Sequence, residues 1–233
     1  DPIFWTALRN NTVFAIVSLL CQVGVSLVLA AVLEEFVHDR LRGVLRTIYF
    51  IPAVISITVA GILFSFLYNP RIGLLNRLLD TVGLDSWQHS WLGEPGTAMG
   101  SIIAMSQWQS IGYTAILFVV AIQRIPKEFH EAAKVDGAGA WQRFWHVTIP
   151  GLRPVLTVVV LLRGIWMFNK FDVVWLLTRG GPVNSTETLP VLAYRKTFQA
   201  FDVGGGAAVA TISFLILSAV ILVYLRLFPL DDR

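Results

Sequence analysis

Arg124 to Pro154, RIPKEFHEAAKVDGAGAWQRFWHVTIPGLRP, is a polar, charged block between long apolar runs. Pro126 suits the first position of a helix, where its missing N–H is not needed. Good helix formers follow at Lys127, Glu128, Glu131, Ala132, Ala133 and Lys134. Gly137 tolerates the left-handed backbone that ends many helices. Trp141, Phe144, Trp145 and Thr148 then recur three and four apart, a second helical stripe, which Pro150 is expected to stop. The prediction is helix, glycine turn, helix. Physically, such a block serves equally as an amphipathic segment resting on lipid headgroups or as a docking element.

The flanks decide the solvent. Hydrophobic residues make up 55% of the chain and charged ones 14%, far from a soluble domain. Asn11 to Leu33, Thr47 to Tyr68 and Ala98 to Ile122 carry no charge, and each is long enough to cross a bilayer. Val155 to Thr178 is a fourth run, although it carries Arg163, Lys170 and Asp172, and Gly206 to Leu225 is a fifth. The expected fold is all-α, a single polytopic transmembrane helical bundle over 1–233, with spans at about 11–33, 47–68, 98–122, 155–178 and 206–225 and a loop at 124–154. Pro52 and Gly61 in the second run are tolerable because neighbouring helices can satisfy freed backbone groups.

The basic residues set the orientation. Arg40, Arg42, Arg46, Arg124, Lys127, Lys134, Arg143, Arg153, Arg226 and Arg233 gather on one side. Arg9, Arg71, Arg77, Arg179, Arg195 and Lys196 are spread over longer segments on the other. The 124–154 loop is therefore expected inside and Asp1 outside. A start at Asp1, external and with no Met or signal-like segment, predicts an upstream helix and at least six spans in the full subunit. Cys21 is the lone cysteine, so no disulfide forms within the chain, and four scattered histidines with it suggest no metal cluster. No Gly-x-x-x-x-Gly-Lys-Ser/Thr loop, catalytic triad or inverted repeat is found. This argues against an ATPase, a membrane enzyme and a secondary transporter.

The central block resembles the EAA loop of the membrane subunits of binding-protein-dependent ATP-binding cassette importers. The family pattern is Glu-Ala-Ala, three residues, Gly, nine residues, aliphatic, one residue, aliphatic, Pro. Here it reads Glu131-Ala132-Ala133, Gly137, Val147, Ile149 and Pro150, with Asp136 and Ala138 completing the Asp-Gly-Ala form of sugar importers. Val147 and Ile149 stand where the family usually has Ile and Leu. Phe168-Asn169, Phe171-Asp172, Leu177 to Pro182, Thr186, Thr188, Leu189 and Gly204 to Ala208 continue the likeness. The resemblance implies a permease subunit in a prokaryotic plasma (inner) membrane, with no cofactor of its own. Its implied partners are a second permease subunit, an external solute-binding protein and two cytoplasmic ATPase subunits that hold ATP and magnesium. Glu131, Ala132, Ala133, Asp136 and Gly137 would couple to the ATPase.

Two stripes are candidates for the solute path. Ser106, Gln109, Ser110 and Tyr113 fall at i, i+3, i+4 and i+7, one helical face. That face suits a sugar, which offers hydroxyls to bond and a flat side to stack, and equally suits polar glue between helices. Arg163, Met167 and Lys170 form a second stripe, with Asn169 and Asp172 on another face. Intramembrane charges are costly and so point to function. The resemblance places sugar contacts at positions matching Ser106, Tyr113, Arg163 and Lys170, although the bases at the last two replace smaller polar residues of maltose-type relatives. That basic stripe raises glycerol 3-phosphate or a glycerophosphodiester as the alternative solute.

Overall fold

Asp1 caps the first helix, its carboxylate accepting the Ile3 N–H at 3.0 Å, and Pro2 opens the first turn. From there α1 runs unbroken over Pro2–Phe36. The computed structural model describes residues 1–229; Arg233, counted above among the internal bases, lies outside them. Among the described residues every regular element is helical. After α1 come α2 (Asp39–Val54), α3 (Ile57–Leu67), α4 (Leu74–Thr81) and α5 (Pro95–Gln123). Then follow α6 (Lys127–Val135), α7 (Ala140–Arg143), α8 (Ile149–Phe168), α9 (Asp172–Leu177), α10 (Leu189–Tyr194) and α11 (Val203–Leu227).

Four of these stretches are long and apolar enough to cross a membrane: Pro2–Phe36, Pro95–Gln123, Ala140–Leu177 and Val203–Leu227. α2 and α3 are a fifth candidate, bent by 93°. The run expected as the second span, 47–68, is thus split between two helices rather than one. Pro52 removes a donor near the end of α2, and the chain turns at Ile55 and Ser56, both extended. A broken helix in lipid needs its carbonyls satisfied from elsewhere. Gln109 of α5 does this, its Nε2 donating to the Ile55 carbonyl at 2.8 Å.

α1 turns a polar stripe inward and apolar side chains outward, as a helix in lipid can. α1 buries Asn11, Ser18, Gln22 and Ser26 while leaving Ile16 and Leu20 exposed. Its polar stripe grips α5: Gln22 Nε2 donates to Thr114 Oγ1 at 3.1 Å and to the Ser110 carbonyl, and Ser26 Oγ donates to the Ile111 carbonyl. Interhelical bonds of this kind contribute about 0.6 kcal/mol each. Close backbone approach joins α5 to α2 in turn. A Cβ on Gly112 of α5 would sit 1.7 Å from the Tyr49 carbonyl oxygen of α2, so only glycine fits there. Apolar packing then divides into two main clusters. One joins Leu27, Leu33, Phe118, Ile122 and Leu152, towards the end that carries the 124–154 loop. The other joins Phe14, Ile102, Met105, Met167 and Val174, towards the opposite end.

Gln109→Leu is expected to leave the Ile55 carbonyl without a donor, costing about 1–3 kcal/mol. In detergent the variant should melt a few degrees lower while Gln109→Asn loses less. An unchanged melting point with lost uptake would return Gln109 to the solute.

Candidate functional site

The loop is built as its composition demands, with two differences. Pro126, extended at ψ 131°, caps α6 rather than opening it, and Lys127 is the first helical residue. Gly137 takes φ +80° and turns the chain, with open space around it. α7 begins beyond Gly139, whose N–H donates to Gln142 Oε1 at 2.9 Å. Pro150 does not stop this second helix. Residues Phe144–Thr148 form a wide π turn in which the Ile149 N–H reaches back to the Phe144 carbonyl. That change of register gives the proline ring room and leads the helix into α8.

α6 has two faces. Lys127, His130, Glu131 and Lys134 line a groove of about 850 Å³ shared with Glu34 and Glu35 of α1 and Trp141 and Arg143 of α7. Burial holds the His130 imidazole below its usual value, with the Glu35 carboxylate pulling the other way. Phe129, Ala132, Val135 and Asp136 are exposed, Val135 at 88%. Ala133 is half-buried. Glu131 is itself exposed and has no ion-pair partner among the described residues. The loop therefore offers an unpaired carboxylate, small alanines and an uncovered apolar edge together.

The solute-path candidates separate. Tyr113 and Arg163 meet: the guanidinium lies 4.8 Å from the Tyr113 ring centre and 5.0 Å from that of Trp166. Arg163 is 7% exposed, and its Nη2 has no hydrogen-bond partner. Ser106 is sealed at 1% exposure with its Oγ unpaired. Gln109 is committed to Ile55, and the Ser110 carbonyl to Gln22. Met167, 2% exposed, belongs to the apolar cluster.

Lys170 does not continue the Arg163 stripe. α8 ends at Phe168, where Asn169 turns its amide back onto the Ile165 carbonyl at 3.0 Å. Lys170 falls in the break and pairs with Asp172 at 3.3 Å. A stripe counted at helical period fails once the helix stops. Trp166 was missed, although its place three residues after Arg163 puts it on the same side of α8. The Glu35–Arg143 pair was missed as well, because 108 residues separate its members.

Comparison with known proteins places these features in a family. Residues 6–229 match the family described as binding-protein-dependent transport system inner membrane component. A probable ABC transporter permease protein of Bacillus subtilis, YurN, is 43% identical over 98% of this chain and 78% of its own length. The lactose transport system permease protein LacF of Rhizobium radiobacter is 35% identical over 100% of this chain and 78% of its own. Among solved structures, a bacterial ABC transporter involved in the import of the acidic polysaccharide alginate superposes with a TM-score of 0.91 at 23% identity, over 100% of this chain and 81% of that one. A bacterial alginate ABC transporter in complex with an alginate pentasaccharide-bound periplasmic protein gives 0.83 at 26% identity, over 97% and 77%. This chain belongs to the family of inner-membrane components of binding-protein-dependent transport systems.

Proposed function

We propose that the chain forms half of the translocation path for a sugar, delivered by an external solute-binding protein and moved by ATP hydrolysis on partner subunits. The observation that carries the sugar is the Tyr113–Arg163–Trp166 group. It combines aromatic faces with a buried guanidinium whose Nη2 is unpaired, the chemistry that stacks a pyranose and bonds its hydroxyls. The lactose transport role of a relative supports the same class. A phosphate-bearing solute is less well served. Lys170 is already paired with Asp172, leaving a dianion one cation held between two rings.

On this reading the 124–154 loop faces the cytoplasm of a prokaryotic cell, where Glu131, Ala132, Ala133, Asp136 and Gly137 meet an ATPase subunit. ATP and magnesium are bound there and not in this chain. A second permease subunit completes the path. Closing of the ATPase pair would move the loops together and open the spans outward, the rigid-body kind of switch. The test is to purify the assembled transporter with its cognate solute-binding protein and identify the solute that protein retains. A neutral sugar that stimulates ATP hydrolysis in proteoliposomes is expected. Retention of a phosphodiester would overturn the sugar reading.

A further inference from the structure

The bend after α6 is unsupported by packing. Nothing lies within 4 Å of where a Gly137 side chain would be, and Asp136, Gly137 and Gly139 are exposed. Yet the bend must keep its place if a force applied to α6 is to reach the spans. Backbone bonds close the turn locally, from the Gly137 N–H to the Lys134 carbonyl at 3.0 Å and from the Ala138 N–H to the Ala133 carbonyl at 2.9 Å. Arg143 supplies the hold on α1. It is the charged residue of 124–150 that is buried, at 9% exposure. Its Nη1 donates to the Ala138 carbonyl, one residue beyond the glycine, at 2.6 Å. Its Nη2 donates to the Glu35 carboxylate at the end of α1. A planar guanidinium can make both bonds at once in a fixed fork, which a lysine cannot.

The neighbouring carboxylate has a different task. Glu34 receives Arg46 at 2.6 Å, lies 3.6 Å from Arg42, and accepts from Gln123 at the end of α5. It binds α1 to α2 and α5, whereas Glu35 alone of the two reaches the loop. From Glu35, α1 is continuous to Gln22 and Ser26, the residues that bond α5 at Ser110, Ile111 and Thr114 around Tyr113. One rigid helix therefore joins the loop bend to the ring proposed to meet the solute.

We propose that Glu35 and Arg143 are positioning residues for coupling: they tie the bend of the 124–154 loop to α1, so that displacement of α6 by the ATPase is delivered to the helix lining the solute path. This rests on the importer reading. The pair touches neither solute nor ATP, and its effect lies in the link.

The test uses the assembled transporter with Glu35→Gln, Arg143→Gln and the double variant. Each single change is expected to lower uptake and binding-protein-stimulated ATPase by roughly tenfold, with basal ATPase kept. The double variant should be no worse than the worse single one, because both remove the same tie. Glu35→Asp and Arg143→Lys, gentler changes that keep charge, should fall between. Losses that multiply in the double variant, or an unchanged ratio of stimulated to basal ATPase alongside a lower melting point, would overturn the proposal and make the pair a fold stabiliser. Backbone hydrogen exchange at 136–140 gives a reading independent of transport. It should quicken in both single variants, and unchanged exchange would overturn the tie. Quickened exchange together with a wild-type complex that no loaded binding protein stimulates would instead count against the importer reading and leave the tie standing.

Discussion

Glu131→Lys is expected to abolish coupled transport while the protein still inserts and assembles its spans. Glu131 sits on α6, outside every candidate span, and is exposed without an ion-pair partner among the described residues. Reversing it therefore costs little within the fold. On the proposed reading its carboxylate meets a basic side chain of the ATPase. Losing one member of a desolvated, hydrogen-bonded ion pair at an interface costs about 2–5 kcal/mol. Uptake and stimulated ATP hydrolysis should then fall more than about 30-fold, and an acidic substitution on the facing ATPase residue should restore part of both. Gly137 tests the bend separately. Because the space around it is open, a side chain meets no clash and the penalty is conformational, about 1–3 kcal/mol for a residue forced to φ +80°. Gly137→Asn should be tolerated better than Gly137→Leu, since asparagine adopts this backbone more readily. Wild-type uptake and stimulation in both Glu131→Lys and Gly137→Leu would reduce the loop to a surface ornament.

The parts of this fold that were legible are those where the signal is local. Uncharged runs marked α1, α5 and α11 because bilayer thickness imposes a length on them. Gly137 marked the turn because few residues accept its backbone. The illegible parts depend on partners far along the chain. Pro52 looks the same in a kinked span as in a broken one, and the bond that stabilises the break comes from Gln109, 54 residues away. Pro150 reads as a stop until the wide turn before it is known. Lys170 was placed with Arg163 by counting through Asn169, where the helix in fact ends. The polar stripe of α1 was readable in principle. Asn11, Ser18 and Gln22 recur at i, i+7 and i+11 in an apolar run, and in lipid such a stripe marks the buried face.

Tyr113→Ala is expected to raise the solute concentration for half-maximal uptake by roughly 30-fold, with assembly and basal ATPase retained. The estimate follows from removing a central aromatic anchor, worth about 2 kcal/mol or more. Tyr113 is 39% exposed, so its ring can meet a solute without displacing core atoms. Its second role is to face the Arg163 guanidinium, a contact worth about 0.5–2 kcal/mol. The two roles separate with Tyr113→Phe, which keeps both the ring and the cation contact and should keep most uptake. Arg163→Gln removes the buried cation and the partnerless Nη2 but still offers a hydrogen-bond donor. For a neutral sugar it should therefore weaken uptake less than Tyr113→Ala does. For a solute bearing phosphate the order should invert, because charge would then dominate over stacking. If Arg163→Gln left uptake unchanged but lowered the melting point, Arg163 would be holding α8 against α5 through the Tyr113 ring. If Tyr113→Ala and Arg163→Gln both transported normally, the solute would pass elsewhere and the sugar-stacking reading would be lost.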